Sequence, residues 1–296
     1  MAELCAEAGV PEGVVNVVTG FGETAGAALA AHPGVDKIAF TGSTEVGRLI
    51  VKAAVGNLKK VSLELGGKSP VIVFADAVLE QVIPGAARAC FFLQGQNCMA
   101  GTRLYVHEKI HDQVVEGVAG IARTMQLGHG LDPKTDIGPV INARQLADVE
   151  ARVAEAVADG ARVLTGGKRS RRFPNGFFFE PTILVDVRPE MRIVATETFG
   201  PTMPIMKVRG IEQAIAMANA QEYGLGANIY TNNMEWAMTA MERITAGTFW
   251  INDPLTDNEA GPFGGMKKTG HSRELGVEGL DEFRETKHVH LDWKQE

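Results

Sequence analysis

The sequence predicts an α/β fold built on a largely parallel sheet, on three observations. Short apolar runs such as Lys37-Ile38-Ala39-Phe40 and Val71–Phe74 alternate with amphipathic stretches of helical length. That alternation means strands joined by helical crossovers rather than hairpins. The composition, 45% hydrophobic and 22% charged over 296 residues, suits a packed core with a solvated surface.

Taken in order, residues 1–9 read as the end of a helix, and Gly13–Gly20 reads as a short buried strand. An Ala-rich helix over 24–32 ends at Pro33-Gly34. Strand Lys37–Phe40, helix Glu45–Ala54 and strand Val61–Leu65 follow. Met1 stands at what reads as mid-helix, without a preceding cap, so an N-terminal portion of the domain is expected upstream. Strand Val71–Phe74 leads to a helix over Ala77–Phe92, bent or broken near Pro84. Strand Thr102–Val106, helix Lys109–Met125 and helix Ala143–Asp159 come next. A basic loop over 168–177 reads as a surface excursion. Strands Phe178–Val185 and Met203–Val208 flank Thr196-Glu197-Thr198-Phe199-Gly200-Pro201. Helices Ile211–Ala220 and Met234–Ile244 each lead to a strand, Ala227–Tyr230 and Gly247–Ile251. The alternating segment Thr286–Trp293 reads as a terminal strand.

A net charge of −7 argues against nucleic acid or an anionic membrane as partner. No apolar run reaches membrane-span length, and no basic-then-apolar leader opens the chain. Three cysteines, Cys5, Cys90 and Cys98, make no disulfide framework, so a reducing, cytoplasmic setting is expected.

The chain is organised around Phe91–Arg103, where an apolar segment runs into a Gly95-Gln96 turn and delivers Cys98. A thiol at such a turn has backbone N–H groups beside it to face a developing oxyanion. Alone, it reads as one more small buried hydrophobe, and the other motifs along the chain are what overturn that reading. Leu63-Glu64-Leu65-Gly66-Gly67-Lys68 sets a carboxylate between two leucines at a strand end, where desolvation raises its pKa toward general-base range. The alternative is an edge glutamate facing water. Phe40-Thr41-Gly42-Ser43-Thr44-Glu45-Val46-Gly47 is a strand, a tight turn and a helix start, a place for an anion or for a plain N-cap. Gly67-Lys68-Ser69 lacks the leading glycine of a phosphate loop. His107-Glu108-Lys109-Ile110-His111 matches a zinc-protease pattern, but His107 ends a strand, so the two imidazoles would not converge.

Together these stretches, with Glu197–Pro201 and Pro262-Phe263-Gly264-Gly265, resemble the aldehyde dehydrogenase superfamily from the first residues to the last. The resemblance implies part of a Rossmann-type cofactor domain over 1–67, an α/β catalytic domain over 68–272, and a return segment with an oligomerisation strand over 273–296. It implies that Cys98 attacks an aldehyde, that a hydride leaves for a nicotinamide cofactor, and that Glu64 activates water against the resulting thioester. Cofactor contacts are implied for Thr41, Gly42, Ser43, Gly47, Leu65, Gln145, Glu197 and Phe199, with Glu197 on the nicotinamide ribose and no metal. NAD is the commoner expectation, with NADP left open. A small-molecule aldehyde as substrate and a homodimer or homotetramer when complete are also implied.

The family's oxyanion asparagine and its cofactor-binding lysine belong to a stretch expected upstream of Met1. Asp148 stands where many relatives carry a lysine. An acylating, coenzyme A-dependent enzyme is the runner-up, disfavoured by Glu64, and a non-catalytic remnant of the fold is the reading from another class. The substrate-mouth loop Asn252–Phe263 carries Asp253, Asp257 and Glu259, which would favour neutral or cationic aldehydes over anionic ones. The chain alone is expected to be an incomplete dehydrogenase, with an unpaired apolar edge near Lys37–Phe40.

Overall fold

Alternation between strand and helix persists through the computed structural model, which describes residues 1–253, 255–256 and 258–293 and divides into two units, residues 1–63 and 64–296. In the first unit, α1 (Ala2–Glu7) and α2 (Ala27–Ala31) precede β1 (Lys37–Thr41), α3 (Thr44–Ala54) and β2 (Lys60–Glu64), whose last residue opens the second unit. A single π turn over Gly22–Gly26 leads into α2. The Lys59 ammonium then donates to the Ala30 and His32 carbonyls, so a cation satisfies the carbonyl end of that helix. Ser43 caps α3, its hydroxyl accepting from the Val46 N–H. Between α2, β1 and α3 lies an apolar groove of about 640 Å³, lined by Leu29, Val35, Phe40, Val46, Leu49 and Ile50.

The expected strand over Gly13–Gly20 does not form. No ladder pairs it among the described residues, the Asn16 amide bonds back to the Gly13 carbonyl, and Val14, Val17 and Val18 are exposed. A β-prone run without a partner edge has nothing to satisfy its backbone, and local side-chain bonding takes over.

In the second unit, β3 (Pro70–Val73), α4 (Leu79–Phe91), β4 (Arg103–His107) and α5 (His111–Thr124) are followed by α6 (Ala143–Ala158), β5 (Arg162–Thr165), β6 (Thr182–Val185) and α7 (Arg192–Ala195). Then come β7 (Thr202–Val208), α8 (Ile211–Asn219), β8 (Tyr223–Gly224), β9 (Gly226–Tyr230), α9 (Met234–Arg243), β10 (Thr248–Ile251), β11 (Met266–Lys267) and α10 (Gly276–Asp281). Seven of these strands form one sheet in the order β10-β9-β3-β4-β7-β6-β5, parallel except for β5 at the edge. Successive side chains of a strand point to opposite faces. Val71 and Val73 therefore join the core under α4 and α5, while Ile72 and Phe74 join the one under α6, α8 and α9. Burial on both faces is why these strands read as unbroken apolar runs.

Two further expectations meet corrections, and one strand went unread. α4 runs on through Pro84 without a break, because its buried stripe of Val82, Ala86, Ala89 and Cys90 holds it to the sheet. The edge strand β5, half-exposed and short, gave no sequence signal. Thr286–Trp293 forms no ladder within the described residues, and Val289, Leu291 and Trp293 are exposed. His107 closes β4, and the His111 ring, at the start of α5, bonds Asp112 at 2.7 Å. The two imidazoles thus sit on different elements.

Ile72, wholly buried at the middle of the sheet, tests the two-core arrangement. Ile72→Ala is expected to destabilise the second unit by about 2–5 kcal/mol. Urea unfolding followed by tryptophan fluorescence measures it; a loss below about 0.5 kcal/mol would contradict the packing described.

Candidate active site

In the second unit, chemistry-bearing residues gather on the loops that enter the parallel strands, at the amino ends of β3, β4 and β7. Open parallel sheets usually bind ligands at the opposite, carboxyl end. The loop entering β3 carries Glu64, Leu65, Gly66 and Gly67. Thr269, fully buried, pins it: its carbonyl accepts from the Leu65 N–H at 2.8 Å, and its hydroxyl donates to the Gly66 carbonyl at 2.8 Å.

The loop entering β4 carries Cys98. It begins with a sharp reversal in which Leu93, Gln94 and Gly95 all take the left-handed conformation, at φ 51°, 59° and 67°. Gln96 then accepts from the Ile141 N–H at 2.9 Å, fixing the turn against the segment before α6. The two loops touch through their backbones. A methyl group placed on Gly67 would stand 2.0 Å from the Cys98 carbonyl oxygen, so only glycine fits there. The loop entering β7 closes the site. Glu197 Oε1 accepts from the Gly67 N–H at 3.0 Å, and Gly95 lies so close to Gly200 that a methyl would meet its carbonyl at 2.3 Å.

Electrostatics follow from burial. Glu64 is 3% exposed, and neither carboxylate oxygen has a hydrogen-bond partner among the described residues. Desolvation pushes its carboxyl up from 4.5 to about 8; the Glu274 carboxylate adds to the rise and the Arg273 guanidinium opposes it. Cys98 is half-buried, its thiol donating to Asn97 Oδ1 at 3.8 Å. Its pKa is pushed up to about 11, first by burial and then by Glu197, with Glu64 adding to the rise; the Met99 and Cys98 N–H groups pull the other way. The Met99 N–H also donates to Asn97 Oδ1 at 3.2 Å. Burial also raises Glu197, against the Gly67 N–H and the Lys68 charge.

A family model described as the aldehyde dehydrogenase family matches residues 1–289. The chain belongs to the aldehyde dehydrogenase family. It is 45% identical over 290 residues to human retinal dehydrogenase 2, covering 98% of this chain and 56% of that protein. It is 44% identical to the betaine aldehyde dehydrogenase of Bacillus subtilis, covering 99% and 60%. Among solved structures, the NAD⁺ complex of an aldehyde dehydrogenase from Bacillus cereus superposes with a TM-score of 0.96 at 42% identity, covering 99% of this chain and 59% of that one. The chain thus spans somewhat under two thirds of the length of the relatives it matches.

Within this aldehyde dehydrogenase chain, Cys98, Glu64, Leu65, Gln145, Glu197 and Phe199 come together in the second unit. Thr41, Gly42, Ser43 and Gly47 lie in the first unit, at the end of β1 and the start of α3. The Ser43 hydroxyl is engaged as the helix cap, the plainer of its two sequence readings. Gln145 donates through Nε2 to the Thr198 and Phe199 carbonyls, both at 2.8 Å, holding a loop in which Phe199 takes the left-handed φ of 51°. Leu65 is buried, and its backbone is held by Thr269.

Sequence reasoning missed Lys68, Thr269, Gly264 and Glu274. Lys68 is 2% exposed and so faces the core rather than a phosphate. Gly264 packs so tightly that a methyl on it would lie 2.8 Å from Glu64 Oε1. The Gly264-Gly265 pair was visible in the sequence; its approach to Glu64 was not.

A thiol with a pKa of about 11 makes a clear prediction for the Cys98 alkylation rate. In a Cys5→Ser background, iodoacetamide modification is expected to rise roughly tenfold per pH unit up to about pH 10. Glu197→Gln removes a charge that raises the thiol pKa, so it should speed alkylation at fixed pH. A plateau below pH 9 would contradict the electrostatics described.

Proposed function

We propose that the chain carries the chemical centre of an aldehyde dehydrogenase that oxidises an aldehyde to a carboxylic acid through a Cys98 thioester, released by water. The observation that carries this reading is the backbone contact of the Gly67 and Cys98 loops. It joins a nucleophile, on a turn that carries the Cys98 N–H, to a buried carboxyl with no partner among the described residues. Cys98 loses its thiol proton to solvent as Sγ bonds to the aldehyde carbon, and the carbonyl π pair moves onto the oxygen, which faces the Cys98 N–H. NAD⁺, when bound, supplies the hydride acceptor. Glu64 takes a proton from water, whose oxygen attacks the thioester carbonyl and expels the Cys98 thiolate. A buried, unpaired base favours hydrolysis over transfer to coenzyme A.

Each unit, taken by itself, offers groups of a kind that a dinucleotide can use. Glu197 offers carboxylate oxygens to ribose hydroxyls, and its Gly67 partner leaves no side chain in the way. Within the first unit, Gly42 and Ser43 at the N-terminus of α3 suit a phosphate, with Thr41 and Gly47 beside them and an apolar groove on the same helix for a flat ring. Gln145 acts on this site by holding the Phe199 loop. NAD is favoured by the NAD⁺-bound relative.

The substrate reading is coarser. Asp253 Oδ1 accepts from the Thr256 N–H at 2.7 Å, so this carboxylate caps the loop, and Asp257 lies outside the described residues. Glu259, exposed, and relatives named for retinal and betaine aldehyde support a neutral or cationic aldehyde. The exposed, alternating Thr286–Trp293 segment supports pairing with a second copy in a dimer or tetramer. No helix among the described residues is long and apolar enough to cross a membrane, and a rat relative named as cytosolic supports a cytoplasmic setting.

Acylation by p-nitrophenyl acetate tests the centre without NAD. Cys98→Ala is expected to abolish the nitrophenol burst, and a burst that survives would remove Cys98 as the nucleophile. Glu64→Gln should keep the burst and slow the following steady state by about 10²-fold or more. The ionised form is the base, so the wild-type steady state should rise with pH through about 8 and then level. Glu64→Gln should lose that limb; retention of it would mean that another group activates water.

A further inference from the structure

The backbone contact at Gly67 keeps the Glu64 and Cys98 loops from coming closer, and a steric contact cannot keep them from parting. The strand ladder does not supply the missing grip. β3 pairs with β4 from Pro70, opposite Arg103, onward, and Pro70 brings no N–H of its own. Thr102, just before β4, bonds its N–H locally to the Ala100 carbonyl. Two side chains take over. Arg103 Nε donates to the Lys68 carbonyl at 2.7 Å, and Lys68 Nζ donates to the Thr102 carbonyl at 3.3 Å. Each cation thus bonds the backbone at the entrance of the other's strand, beside Gly67 and a short way past Cys98.

Arg103 is held as firmly as it holds. Its Nη1 donates to the Met217 carbonyl at 3.1 Å and to the Tyr105 hydroxyl at 3.0 Å, and its Nη2 to the Ala218 carbonyl at 3.1 Å. Met217 and Ala218 lie in the last turn of α8, where carbonyls lack helical partners and favour a cation. The guanidinium is buried, and its described hydrogen-bond partners are all neutral oxygens. As a source of stability alone, a buried charge does no better than apolar packing of similar volume. What a planar fork of donors adds is fixed geometry.

We propose that Arg103 and Lys68 are positioning residues for the reaction centre. They strap the Glu64 loop to the Cys98 loop, with the carbonyl end of α8 as the anchor. Gly67 limits how near the two loops stand, and the strap limits how far they part. The inference rests on reading Cys98 as nucleophile and Glu64 as base, and it adds the groups that keep their loops together.

Two measurements on the full chain test the strap. Peptide-level hydrogen exchange over residues 64–69 and 95–102 reads loop opening without any chemistry. The nitrophenol burst with p-nitrophenyl acetate reads Cys98 acylation. Arg103→Lys keeps the charge, but a single ammonium cannot span the Lys68 carbonyl and both α8 carbonyls. It is expected to speed exchange in both loop peptides, leave exchange in the β4–β7 ladder unchanged, and slow the burst about tenfold at full amplitude. Lys68→Met removes the longer bond and should give the same pattern with a burst slowed about threefold. It carries the test if Arg103→Lys fails to fold. A merely structural role would lower the burst amplitude with the fraction folded and leave the rate of the folded molecules at the wild-type value. The proposal stands only if faster loop exchange and a slower burst occur together; either alone, or neither, overturns it. A wild-type chain with no Cys98-dependent burst would sink the nucleophile reading instead, and loop exchange in the two variants would then decide the strap by itself.

Discussion

The contact between the Gly67 backbone and the Cys98 carbonyl is the constraint on which the site depends. It sets the spacing of the Glu64 and Cys98 loops without any side chain between them. Because both loops lead directly into neighbouring parallel strands, β3 and β4, the register of the sheet is transmitted to Glu64 and Cys98. Strand-borne positioning is stiffer than loop-borne positioning, and chemistry of this kind loses rate steeply with small displacements.

Around that contact, the molecule shifts several groups away from their behaviour in water. Glu64 is kept short of partners, Cys98 is kept protonated by burial and nearby carboxylates, and Phe199 is kept in a left-handed conformation by the Gln145 amide. Each costs folding free energy on its own. The two apolar cores beneath and above the sheet, centred on Val71/Val73 and Ile72/Phe74, are what offset such costs.

Much of this was legible in the sequence, for identifiable reasons. Strands buried on both faces announce themselves as unbroken apolar runs, so β3, β4 and β7 could be read within about a residue or two of their ends. The glycines of Leu63–Pro70 and Gly95-Gln96-Asn97-Cys98 marked the tight turns of the site. What stayed hidden depends on tertiary context. Gly13–Gly20 has β-prone residues but no pairing edge among the described residues, the burial of Lys68 has no local sequence signal, and Gly264 meets Glu64 from far along the chain. The engagement of Asp253 and Ser43 as caps is likewise a matter of geometry that composition cannot supply.

The central claim, that glycine-only backbone contact sets nucleophile against base, is tested most directly by Gly67→Ala. Gly120→Ala serves as control, since a methyl there meets nothing within 4 Å. The rate of Cys98 acylation by p-nitrophenyl acetate, measured beside circular dichroism of each variant, is the decisive quantity. The account predicts native-like secondary structure with acylation slowed by roughly 10²-fold in Gly67→Ala, and unchanged behaviour in Gly120→Ala. Acylation at the wild-type rate in a folded Gly67→Ala chain would contradict it.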